Sequence, residues 1–205
     1  LFSILITAAF SLGATPNVIA AGIAGGNGSF ETNTFTNPGF ASITDLWETT
    51  AGSASGWTFS GTGRWFMKNS GNNSGAPHDG TSFLNLALGE HGGYGFSAST
   101  AITGLEVGKS YAVEFFASKR VGSVAGTSFS ASVNTTIPTN LTVTEASLPA
   151  VTSGLANYVK QTLTFVATAT SHTFTVSNDG TGSSAGFLVD DFSVVPVIVP
   201  DVPPG

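Results

Sequence analysis

The chain has 205 residues, of which 9% are charged and 41% hydrophobic, with 26 glycines, no cysteine and a formal net charge of −6. That apolar share supplies a core and excludes a disordered chain. The basic residues Arg64, Lys68, Lys109, Lys119, Arg120 and Lys160 are too scattered to form the positive stripe that nucleic acid or an anionic membrane surface requires.

Leu1 to Leu12 is a mostly apolar run, followed by Gly13, Pro16 and the small residues Ala20 and Ala21. This order matches the hydrophobic and cleavage regions of a secretory signal peptide, expected over residues 1–21 and already cut short at its start. The run is shorter than the ~20 apolar residues of a membrane helix, so no membrane span is expected in the mature domain. Export without cysteine leaves stability to the core and to any bound metal.

Residues 22–195 read as one β-sandwich domain. Trp57 in "GWTF" (56–59) alternates like a core residue. From Gly52 to Gly80 the chain is dense in Gly, Ser and Asn yet carries Trp57, Trp65, Phe66 and Met67, as a functional loop at the end of a sandwich would. Short runs of period two then follow. "TSFLNLAL" (81–88) is one strand, and "KSYAVEFFAS" (109–118) sets Tyr111, Val113 and Phe115 against Glu114 and Ser118. "TSFSASVNT" (127–135) sets Phe129, Ala131 and Val133 against serines. "YVKQTLTFVAT" (158–168) groups Val159, Gln161, Leu163, Phe165 and Ala167, and "HTFTVSN" (172–178) adds Phe174 and Val176. Such alternation puts one face on a core and one in water. Turn clusters rich in Gly, Asn and Ser separate the runs. No sustained helical stripe follows the leader, so the fold class is all-β, an antiparallel β-sandwich with jelly-roll topology. Residues 196–205, with Pro196, Pro200, Pro203 and Pro204, read as a proline-rich linker leading onward.

Near the end, "FLVDDFSVVP" (187–196) places two aspartates inside an apolar strand. Simple alternation puts Leu188, Asp190, Phe192 and Val194 on the inward face and Val189, Asp191 and Ser193 on the other. Asp190 is therefore the buried carboxylate, and it needs hydrogen bonds, a cation or a metal. First and last strands of jelly rolls often neighbour one another, which would bring Glu31 of "NGSFE" (27–31) to Asp190. Two converging carboxylates repel unless a cation such as Ca2+, which accepts carboxylate and carbonyl oxygens together, lies between them.

"NGSFE", "GW" at 56–57, "PHDGTSFLNL" at 77–86, "GLEVGKSYAVEFFAS" at 104–118, "LTFVATATSHTFTV" at 163–176 and "LVDDFSV" at 188–194 occur in an order that resembles the secreted galactose-binding-like jelly rolls. That group includes carbohydrate-binding modules and extracellular-matrix domains. The resemblance implies a structural calcium on Glu31 and Asp190, with oxygens near Asn27 completing the site and Asp191 as a more exposed neighbour. It also implies polysaccharide or glycan as partner. Tyr158 stands where such domains often carry a Trp, and no matching set of sugar-contacting residues carries over. The proline-rich tail resembles the spacer before the sorting signal of PEP-CTERM type surface proteins, whose diagnostic residues are missing here.

Catalytic patterns are absent from the sequence. No G-x-S-x-G elbow occurs, His78, His91 and His172 lack metal-protease spacing, and Glu114 has no carboxylate partner near it in the chain. His78 beside Asp79 reads as a turn residue. For ligand contact the sequence nominates Trp65 with its neighbour Arg64, and Tyr94 among the glycines of "GGYGF". The function expected is an exported, non-catalytic carbohydrate-binding module at the cell surface or in extracellular matrix. An adhesive matrix protein without a sugar site, and an unrecognised glycan-active hydrolase, are the two alternatives.

Overall fold

The computed structural model describes residues 20–34, 53–62, 65–67, 77–88, 94–120, 125–151, 156–178 and 185–198. Among them eleven strands form two antiparallel sheets. The strands are β1 (Gly22–Ile23), β2 (Trp57–Thr62), β3 (Trp65–Met67), β4 (Leu84–Leu88), β5 (Tyr94–Thr103) and β6 (Ser110–Lys119). They continue as β7 (Ser128–Val133), β8 (Thr139–Thr144), β9 (Val159–Val166), β10 (Ser171–Asn178) and β11 (Ala185–Pro196). One sheet has the order β1-β5-β10-β7-β8, with β2 also paired to β5; the other runs β3-β4-β11-β6-β9. The expected all-β sandwich is what the chain forms.

The alternating runs fold as their pattern dictates. Phe129, Ala131 and Val133 of β7 turn inward between serines, as do Phe174 and Val176 of β10 and Tyr111, Val113 and Phe115 of β6. On β9 only Leu163 and Phe165 of the strand, with Ala167 after it, are buried. Val159 and Gln161 lie further out, because β9 is a sheet edge whose start overhangs the core. Phe192 is the hub of that core, with ring centroids 5.1 Å from Phe115, 5.2 Å from Trp57, 5.5 Å from Phe174 and 5.7 Å from Phe30. Burying such rings is the main favourable term holding the two sheets together.

The facing of β11 differs from simple alternation. Phe187 and Val189 point into the core, and so do Phe192 and Val194. Between them the register with β6 slips: Asp190 opposes Phe116, but Ser193 opposes Glu114, so β11 carries one extra residue. Asp191 takes φ 54°, the left-handed conformation that a bulge residue adopts and that Asp tolerates better than most. The bulge moves Asp190 to the outward face with Leu188 while leaving it fully buried. β11 also runs further than expected: Pro196 opposes Tyr111, and the Val197 N–H still donates to Ser110 O at 2.9 Å. The leader expected over 1–21 and the rest of the tail lie almost wholly outside the described residues.

Candidate functional site

The turn Pro77–Ser82 is held against the outside of the five-stranded sheet by two carboxylates. Asp190 Oδ2 accepts the backbone N–H groups of His78 (2.8 Å) and Asp79 (3.0 Å), while its Oδ1 accepts that of Asp191 (2.7 Å). Glu31 Oε1 accepts the N–H groups of Thr81 (3.0 Å) and Ser82 (2.7 Å), and its Oε2 accepts the Thr81 hydroxyl at 2.7 Å. Ser29 Oγ reaches Asp79 Oδ2 at 3.1 Å. Acids from the two ends of the chain thus grip the two halves of one turn. Gly80 is required where it stands: its φ is +64°, and a Cβ there would lie 2.5 Å from the Glu31 carboxyl carbon.

Burial pushes the Asp190 carboxyl up, to about 7; the three N–H donors pull against that shift and the Asp191 charge adds to it. The Tyr158 phenol is likewise raised, first by burial and then by the charge of Asp190, so it stays protonated.

This clamp presents an aromatic surface. The His78 ring stacks on Phe116 with centroids 3.6 Å apart and planes 14° from parallel, and Tyr158 meets His78 edge-on at 5.4 Å. Asp191 Oδ2 lies 3.4 Å from His78 Nδ1, and Lys160 Nζ lies 2.7 Å from Glu114 Oε2. Phe116 opposes Asp190 on β11 and Lys160 on β9, so these side chains share one face. Glu114 has a cation partner, Lys160, that was not apparent from the sequence. The result is an aromatic platform, a stack in which His78 is the exposed ring, backed by the partly buried Phe116 and Tyr158 and rimmed by donors and acceptors. Its carboxylates meet Lys160, His78 or backbone N–H groups, and its imidazole is stacked.

Asn27 is a buried knot. Its side-chain amide donates to Thr32 O (2.9 Å) and Ser55 O (3.1 Å), its Oδ1 accepts Thr32 N–H (2.9 Å), and its carbonyl accepts Trp57 Nε1–H (2.9 Å). The expected calcium set therefore fits a cation only in part. Asp190 Oδ2, Glu31 Oε1 and the Asn27 carbonyl each already serve two donors, whereas Asp190 Oδ1 and Glu31 Oε2 serve one each and keep a lone pair for a metal. Among the described residues no three His, Cys, Asp or Glu side chains cluster around one metal position.

Of the residues nominated for ligand contact, Trp65 begins β3 opposite Leu86 and Tyr94 begins β5 opposite Thr62. They stand on different sheets, and Arg64 lies outside the described residues. The sequence reading missed the platform. Its one legible sign was His78 beside Asp79, which reads as an ordinary turn until Phe116 and Tyr158 are brought beneath it.

No protein-family model and no curated protein matches the chain. Solved structures do, and they define its class: a β-sandwich of the kind found in carbohydrate-binding modules. TmCBM61 in complex with β-1,4-galactotriose superposes with a TM-score of 0.52 at 20% identity, covering 83% of this chain and 96% of that one. The arabinose-bound α-L-arabinofuranosidase MgGH51 gives 0.51 at 12% identity, with 86% of this chain matching 26% of the enzyme. The CBM22-1 xylan-binding domain of Paenibacillus barcinonensis Xyn10C gives 0.46 at 15% identity, over 76% of this chain and 93% of that domain. At these identities the first two matches show the fold alone. Among the described residues no helix is long and apolar enough to cross a membrane.

Proposed function

We propose that this chain is a non-catalytic carbohydrate-binding module, exported to act on polysaccharide at the cell surface or in extracellular matrix. The observation that carries the proposal is the His78–Phe116–Tyr158 platform, set on the outer face of a sandwich that matches a galactotriose-binding module along almost its whole length. Sugar rings have apolar C–H faces that rest on aromatic surfaces and hydroxyls that need polar groups at the edge; Asp191, Glu114 and Lys160 supply the latter. Trp65, Tyr94 and Arg64 are proposed as contacts beyond this platform.

Binding of the full chain to a panel of neutral glycans that includes β-1,4-galactotriose tests the proposal. His78→Ala is expected to weaken binding about tenfold, the loss of one aromatic contact worth roughly 1.4 kcal/mol. Trp65→Ala and Tyr94→Ala are expected to weaken it by similar factors if those rings also meet the sugar. Absence of binding to any glycan, with self-association in its place, would identify a matrix protein instead.

A structural calcium ion at Glu31 and Asp190 belongs to the same proposal. It would use the lone pairs on Glu31 Oε2 and Asp190 Oδ1 and would offset the cost of the buried Asp190 charge. Calcium at about 100 times its Kd should then raise Tm by roughly 5 °C or more over the chelated protein, and Glu31→Gln should remove that rise. An unchanged Tm would leave the backbone hydrogen bonds as the whole of the clamp.

A further inference from the structure

A second concavity lies at the corner of the sandwich, away from the platform. It holds about 530 Å³ and is bounded by residues 135–138 of the β7–β8 connection and the first two residues of β8 on one side and by Val166 and Thr168 on the other. Both walls are built rather than loose. Asn134 Oδ1 accepts the Thr173 N–H at 2.6 Å, the Asn134 N–H returns to Thr173 O at 3.1 Å, and the Thr135 hydroxyl donates to Ile137 O at 2.5 Å. Opposite, the N–H groups of Thr168 and Ala169 donate to Nε2 of the buried His172 at 3.0 and 3.2 Å, which fixes the β9–β10 turn.

The lining is aliphatic and hydroxylic, without a charged side chain. Ile137 is 83% exposed and Val166 52%, so apolar surface stands open to water at the mouth. A charged ligand would lose hydration there and find no counter-charge. The Thr139 and Thr168 hydroxyls already meet Thr135 Oγ1 (3.5 Å) and His172 Nε2 (3.4 Å), so a purely apolar ligand would chiefly strand the Thr136 hydroxyl and the Asn140 amide. An uncharged polyol ring satisfies both surfaces, and the volume lies within the range of small-molecule sites.

We propose that this corner pocket is a second binding site that takes an uncharged sugar residue, which rests on the glycan-binding reading above. β9 connects the two sites. Lys160 beside the platform and Val166 at the pocket share the outward face of that strand, and six residues of strand span about 20 Å. One polysaccharide can therefore occupy both, and joined sites bind more tightly than either alone.

Amide NMR shifts of the full chain, titrated with β-1,4-galactotriose and separately with xylohexaose, test the proposal. Two groups of amides are expected to move: Thr136, Ile137, Thr139 and Thr168 as one, and His78, Phe116 and Tyr158 as the other. Ile137→Asp, at an exposed position that leaves the core untouched, should weaken the first group's response at least tenfold and spare the second. If only the platform amides move, the corner site is wrong and the glycan reading stands. If no amide moves with either sugar, both fall for these ligands. Equal binding of glucuronic acid at the pocket would refute its preference for uncharged rings.

Discussion

Asp190 accepts three backbone hydrogen bonds while losing all contact with water, and these two effects act on its proton in opposite directions. Burial is the larger, so the folded carboxyl is pushed up to about 7 from its ordinary value of 3.8. Between those pH values the folded chain holds a proton that the unfolded chain has released. Asp190 therefore contributes most to stability below about pH 4, and that contribution is lost as pH rises through about 7. The groups around it are Asp191 and Asp79 on the same clamp, His78 and Tyr158 above it, and Lys160 across Phe116. In chelator, the Tm difference between the native chain and Asp190→Asn is expected to move in favour of the native chain as pH is lowered from 8 to 5. A difference that stays flat over that range would show Asp190 to be an ordinary ionised carboxylate. In calcium the same difference should vary less, because a cation stabilises the charged form.

At the scale of strands, what the sequence makes legible is contrast. β6, β7 and β10 alternate large apolar side chains with Ser, Thr or Glu, and their inward faces are readable from that pattern alone. β5 carries little signal, because "YGFSASTAIT" alternates small side chains with one another, yet it anchors β1, β2 and β10 together. β8 is an edge strand whose inward face is Val143, buried, with Leu141 packed partly against the core. The facing of β11 was misread for a different reason. A bulge reverses the alternation between Asp190 and Ser193, and its cause, the left-handed Asp191, is a backbone event without a side-chain pattern. Burial of Asp190 was nonetheless predictable from the apolar strand around it. Glu31 as its counterpart followed from the closeness of the chain's two ends in such folds, which here takes the form of Phe192 N–H donating to Gly28 O at 3.1 Å. A Cβ at Gly28 would lie 1.9 Å from that Phe192 carbonyl oxygen, so the approach of the two ends depends on a missing side chain. The platform could not be read in advance, since His78, Phe116 and Tyr158 come from three separated segments.

For the whole molecule, sparse charge bears on how glycan binding should respond to salt. Twelve acidic and six basic residues are spread over 205 positions. Near the platform Lys160 is paired with Glu114, and Asp191 Oδ2 lies 3.4 Å from His78 Nδ1. A neutral glycan settling there neutralises no phosphates and displaces few counterions, so its affinity has little long-range electrostatic content to screen. Contacts to ring faces and hydroxyls act over a few ångströms, well inside the Debye length of about 8 Å at physiological salt. Galactotriose affinity is therefore expected to change less than about twofold between 50 and 500 mM NaCl, whereas a protein contacting 6–10 phosphates loses about a thousandfold or more between 50 and 200 mM. Isothermal titration at three salt concentrations measures this directly. A steep decline with salt would mean that the partner is a charged polymer recruited by the basic residues, and it would count against neutral sugar at both the platform and the corner pocket.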